Sequence, residues 1–111
     1  MKPGEVKELL LAEHGRYCEN CHYPKDGDPL DVHHCLIHTS KRYADILTHR
    51  VNCALICRTC HRNGIVNGFE FRVRFLHKQL ERYGYWEVRA WFDHLPEKLQ
   101  ITNGWIREEL K

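Results

Sequence analysis

Two short runs carry the residue types best suited to chemistry. Cys18, Cys21 and His22 form a Cys-x-x-Cys-His in "CENCH", and Cys57, Cys60 and His61 form a second in "CRTCH". This pattern serves either covalent haem attachment or one half of a metal knuckle followed by a functional histidine. Two residues between cysteines let both thiolates turn toward one ion, and two knuckles complete a closed tetrahedral site of four sulfurs. A dihaem protein would need export and distal ligands, yet the only methionine is Met1 and no uninterrupted apolar h-region is visible near it. The spacing therefore favours a structural Zn²⁺ held by Cys18, Cys21, Cys57 and Cys60. Cys35 and Cys53 are left over and are expected as small buried hydrophobes.

A second group of residues falls between and beside these knuckles. His33 and His34 sit in "DVHHC", Asn52 opens "VNCALIC", and His61 directly follows the last cysteine. Imidazole titrates near neutral pH and binds divalent transition metals, so a histidine pair can supply both a base and a ligand. Taken in this order, "CENC", "DVHHC" and "VNCALICRTCH" resemble the zinc-stapled members of the HNH nucleases, over Cys18 to about Asn67. The resemblance implies an α+β fold: a small ββα-metal core with a four-cysteine zinc site, flanked by an N-terminal helix and C-terminal helices. It implies a phosphodiester hydrolase acting on DNA, most readily duplex DNA. Carried over residue by residue, it makes His33 and His61 ligands of a catalytic divalent cation (Mg²⁺, Mn²⁺, Ni²⁺ or Zn²⁺), His34 the general base, and Asn52 the residue that steadies the loop and orients the base. Some members carry a third ligand four residues after the last histidine, where this chain has Ile65. The competing reading is a zinc-dependent nucleic-acid-binding module without catalysis.

The elements that must position these residues follow from pattern. "PGEVKELLLAEHG" suits a helix, with Pro3 near its start, Gly15 as its stop and Val6, Leu9 and Leu10 on one face. Pro24, Asp26-Gly27 and Pro29 mark turns. "LDVHHCLIH" and "VNCALIC" suit strands, and "TSKRYADILTHR" a loop. In a regular strand His33 and His34 would face opposite sides, so the strand must end or twist there for both to serve one site. Gly64 and Gly68 keep any helix after Cys57 short. From Phe69, the spacing of Phe69, Val73, Leu76, Leu80 and Tyr83 predicts a helical seam ended by Gly84. A further helix is expected over "YWEVRAWFDHL", and a turn and short helix over "TNGWIREELK".

With 111 residues the chain is expected to be one domain, its core at about 18–67 and a helical extension at about 69–111. A core this small often needs a metal. No apolar run reaches a membrane span of roughly 18 residues. Without an export signal the expected compartment is cytoplasmic, where six cysteines point to metal rather than disulfides. Net charge is +2 but uneven: residues 32–91 hold ten basic and four acidic side chains, while residues 1–31 hold four and seven. That asymmetry suits a polyanion. Lys41, Arg42, Arg50, Arg58 and Arg62 lie nearest the candidate site in sequence and are expected to contact phosphate.

Overall fold

The computed structural model describes residues 1–23, 26–38 and 40–111, so the expected turn at Pro24 and one end of the expected 39–50 loop lie outside the described residues. Helix α1 (Pro3–His14) starts where expected. Pro3 occupies its first turn, and the Glu5 carboxylate accepts the Lys2 N–H at 3.0 Å. It stops at Gly15, whose φ of 81° takes a conformation that disfavours a Cβ. Its buried stripe is Val6 and Leu10.

Strands β1 (Leu30–His34) and β2 (Cys53–Cys57) form a two-stranded antiparallel sheet, registered from Leu30 opposite Cys57 to His34 opposite Cys53. Every residue of β2 is buried. β1 ends at His34, earlier than the pattern "LDVHHCLIH" suggests: the Cys35 N–H still donates in register to the Asn52 carbonyl at 2.8 Å, but beyond it the Asn52 side chain, not a strand backbone, takes the Ile37 N–H and carbonyl. Between the strands, the stretch expected as a loop contains a 3₁₀ turn (Lys41–Tyr43) and the short helix α2 (Ala44–Leu47). Leu47 is the apolar anchor of that turn, fully buried.

β2 runs directly into α3 (Arg58–Asn63), which Gly64 ends in the left-handed region at φ 78°. A 3₁₀ turn (Ile65–Asn67) follows. The remainder is helical: α4 (Phe69–Tyr83), α5 (Tyr85–Asp93), α6 (Glu97–Thr102) and α7 (Gly104–Glu109). The chain is thus a small α+β fold of seven α-helices and one two-stranded sheet among the described residues. None of its helices is long and apolar enough to cross a membrane.

Helix α4 forms where the periodicity places it, with Leu76 of the expected seam buried and Leu80 and Tyr83 packed against the core, but its buried stripe is rotated toward Phe71, Phe75 and Gln79. Phe71, Phe75, Leu76 and Gln79 are buried, whereas Phe69 is 57% exposed. Buried Gln79 explains the shift. Its Nε2 donates to the Arg50 and Val51 carbonyls at 3.0 and 2.9 Å, capping the turn that leads into β2. The core runs continuously from α1 through the sheet to Phe92, Ile106 and Leu110 of the last helices.

His49 sits at the same turn. Its Nδ1 accepts the Val51 N–H at 3.1 Å, and its ring stacks near Trp91. Burial, then the Arg50 cation, hold its pKa below 6.5; Glu87 opposes this and the N-terminal ammonium assists it. Native His49 therefore resists a proton that the unfolded chain accepts, and stability falls as pH drops below about 6.5. His49→Gln is expected to flatten the decline of melting temperature between neutral and mildly acidic pH. An unchanged slope in thermal melts would show that His49 does not contribute to it.

Candidate functional site

The two knuckles meet. The sulfurs of Cys18, Cys21, Cys57 and Cys60 lie within 4.8 Å of one another, an arrangement able to hold a metal ion. Cys18 and Cys21 come from the turn after α1; Cys57 ends β2 and Cys60 lies in α3. The knuckle backbone is turned to the sulfurs: the Asn20 and Cys21 N–H groups approach Cys18 Sγ at 3.4 and 3.5 Å, and Asn20 Nδ2 donates to Cys60 Sγ at 3.3 Å. Burial raises the Cys18 pKa, but hydrogen bonds with the backbone at Cys21, Cys57 and Asn20 outweigh it and bring it down to about 7. Donors aimed at sulfur favour the thiolate that a metal needs. Cys35 and Cys53 are buried apart from this cluster, and burial pushes both thiols up. They behave as the small hydrophobes expected.

The histidines converge beside the cluster. At the end of β1, His33 and His34 both line one hollow of about 300 Å³ together with Val32, His38, His61 and Asn67. The His33 ring lies 5.3 Å from that of His61, edge to face. His33 is 6% exposed, and its Nε2 is buried without a hydrogen-bond partner. Burial, then His61, hold its pKa down to about 4, with His38 and His34 adding to the effect and a hydrogen bond at the Val66 backbone opposing it. A neutral buried imidazole with an unpartnered nitrogen is the state in which histidine binds a metal. His61 Nδ1 lies 3.3 Å from Asp31 Oδ2, leaving Nε2 as its second donor atom. A carboxylate behind a histidine fixes ring orientation and tautomer, as it does at metal sites.

His34 is built differently. Its Nε2 lies 2.9 Å from the Thr48 hydroxyl, and Thr48 is 3% exposed. Burial, then His38, lower its pKa. The Asn52 side chain bonds to Ile37 and Leu47 rather than to His34. It is fully buried, accepts the Ile37 N–H at 2.8 Å, and donates to the Ile37 and Leu47 carbonyls at 3.0 and 2.8 Å. This side chain fixes Leu47, the residue before Thr48, and the Asn52 carbonyl accepts the N–H of Cys35, the residue after His34.

The five expected phosphate contacts separate into two groups. Lys41, Arg42 and Arg62 are exposed. Arg58 pairs with Asp31 at 3.1 Å and, with Arg62, His61 and Asp31, lines a second hollow of about 340 Å³ that shares His61 with the first. Arg50 points elsewhere, bonded to Glu13 at 2.9 Å and Glu87 at 2.5 Å and packed over the Tyr83 ring. On α4, Arg72, Lys78 and Arg82 are likewise turned inward, toward the Cys35 and Leu36 carbonyls, Glu19 and Tyr17. A larger cleft of about 610 Å³, between α2 and α5, lies at Arg50 and Trp91, and of the site residues only Thr48 borders it.

Two residues at the site escape sequence reasoning. Asp31 shares a strand face with His33 by simple alternation, a signal present in "LDVHH". Thr48 carries no local signal, since only the fold of the connection brings it to His34. No model of a known protein family, no curated protein and no solved structure matches this chain.

Replacing Asn52 tests its place in the scaffold. Asn52→Ala strands the buried Ile37 amide and carbonyl, and is expected to destabilise the fold by roughly 3 kcal/mol. Urea unfolding checks this; a loss well under about 1 kcal/mol would remove Asn52 from the scaffold.

Proposed function

We propose that this chain is a metal-dependent endonuclease of the HNH type that hydrolyses DNA phosphodiester bonds. The observation that carries the proposal is the pairing of His33 and His61 across one hollow, with a buried unpartnered His33 Nε2, beside His34 on the same wall. The order of the elements supports it: an antiparallel pair of strands runs straight into the helix that carries His61. In this reading the four-cysteine cluster holds a structural Zn²⁺, because four thiolates close the coordination shell and leave no place for substrate.

His33 and His61 would hold the catalytic divalent ion through Nε2. Such an ion supplies Lewis acidity to the scissile phosphate and to the departing oxygen. His34 does the proton work. With Nε2 taken up by Thr48, Nδ1 is the nitrogen left to take a proton from water. The resulting hydroxide oxygen bonds to phosphorus, the bond from phosphorus to the 3′ oxygen breaks, and the leaving oxygen takes its proton from solvent. Thr48 holds the ring in the direction this needs, and its hydroxyl can accept from Nε2–H when Nδ1 is the free base. Arg58 and Arg62, around the adjoining hollow, would seat the flanking phosphates.

Supercoiled plasmid with Mg²⁺, Mn²⁺, Ni²⁺ or no metal is the primary test. Mild EDTA is expected to stop cleavage while zinc content and fold persist, and Mg²⁺ or Mn²⁺ to restore it. Serine at any of the four clustered cysteines is expected to abolish folding, since structural zinc contributes roughly 10 kcal/mol or more in small modules. His34→Ala should slow single-turnover cleavage by about 10²–10⁴-fold, with DNA binding and melting temperature retained. Binding without cleavage under every metal condition would instead assign a non-catalytic nucleic-acid-binding module.

The division among the arginines gives a separate test. Lys41→Ala, Arg42→Ala and Arg62→Ala are each expected to weaken DNA binding and lower the slope of log K against log salt by about 1. Arg50→Ala is expected to lower the melting temperature and leave the slope unchanged. A salt slope that moves only with Arg50 would reverse the assignment.

A further inference from the structure

We infer that His38 is a third imidazole ligand of the divalent ion proposed at His33 and His61. The inference rests on that reading and extends it with a residue the sequence pattern does not single out. The His33 ring has two imidazole neighbours: His61 at 5.3 Å and His38 at 6.1 Å, crossing it at 66° and 64°. All three line the same hollow.

The position four residues after His61 cannot supply another ligand, although Asn67 also lines the hollow. α3 ends at Asn63, Gly64 turns the backbone at φ 78°, and Ile65 is half exposed with an apolar side chain. The loop after β1 is held in place instead. Arg72 donates to the Cys35 and Leu36 carbonyls at 3.2 and 2.6 Å, and Asn52 takes both the N–H and the carbonyl of Ile37. Leu36 and Ile37 are buried beneath. Backbone anchored this fully up to residue 37 delivers residue 38 to the rim of the hollow. The His38 side chain itself is exposed and has no hydrogen-bond partner among the described residues.

Its position suits a ligand that closes onto the ion rather than one already in place. Among the described residues, the only group of three or more potential ligand atoms within 4.8 Å of one another is the cysteine cluster. One ion therefore needs the His38 ring to turn inward about its side-chain torsions, which its exposure permits. His33 and His61, fixed by burial and by Asp31, hold the other two places. An ion with three imidazoles keeps open positions for water and phosphate, as catalytic sites require.

Isothermal titration of Ni²⁺ into tag-free, zinc-loaded protein tests this without reference to cleavage. Wild type is expected to bind one additional Ni²⁺ per chain. His38→Ala and His38→Gln should each weaken that binding by at least the roughly 10–100-fold that loss of a ligand's hydrogen-bond partner costs. Both should keep the wild-type melting temperature. His77→Ala, on the outer face of α4 beside Glu109, should bind as wild type does. If both His38 variants bind Ni²⁺ with unchanged affinity while His33→Ala abolishes it, the inference fails and the two-histidine site stands. If His33→Ala and His61→Ala leave binding unchanged too, the proposed site itself is wrong.

Discussion

The convergence of four sulfurs is the constraint on which the rest of the structure depends. Cys57 is at once the last residue of β2, the residue before α3 and a member of the cluster; Cys60 lies one residue before His61. Drawing these to Cys18 and Cys21 fixes where α3 departs from the sheet. That departure aims His61 back at β1, where Asp31 and His33 share a strand face. A six-residue helix has little stability of its own. Its direction comes from the cluster at its start and from the glycine that stops it.

The same knuckle is tied to the C-terminal helices. Glu19, buried beside Cys18, takes Arg82 at 2.6 Å and Lys78 at 3.1 Å, and both cations also reach Tyr17. Burial raises the Glu19 pKa, but the two cations outweigh it and hold the carboxyl below its ordinary value. A charge buried this far persists only because it is paired, and losing one partner would leave another stranded. The basic residues of α4 that look in the sequence like a surface for polyanions are therefore largely internal fasteners, with Arg74 remaining exposed.

The site was more legible in the sequence than the helices around it. Cys-x-x-Cys spacing states a geometric demand directly, and the order of His33, His34, Asn52 and His61 placed three imidazoles on one hollow. The loop-fixing role of Asn52 follows from the same order, whereas its partners, Ile37 and Leu47, follow only from the fold. Periodicity locates α4 and the part of its inward face at Leu76, Leu80 and Tyr83, but not the part at Phe71, Phe75 and Gln79. Two apolar stripes overlap on this helix, and only tertiary partners decide between them. Phe69 meets Trp105 of α7 at 5.3 Å near the surface, while Gln79, polar and unremarkable in the sequence, is buried to satisfy two backbone carbonyls. The helical turns within residues 41–47 were also hidden, because their stability rests on Leu47 and Asn52 rather than on local pattern.

Near-identical side chains acquire different chemistry here through what stands behind each ring. His33 is buried with no partner at Nε2 and is kept strongly neutral. His61 is half exposed and backed by a carboxylate that favours Nδ1–H. His34 has a hydroxyl at Nε2, a neutral partner that directs the ring without adding charge. A carboxylate in Thr48's place would add a charge that raises the His34 pKa and the share of imidazolium near neutral pH. A hydroxyl avoids this while still choosing a direction. Asp31 and Thr48 thus orient the ligand histidine and the base histidine of the proposed mechanism by different means, and Thr48 lies outside every cysteine and histidine motif of the sequence.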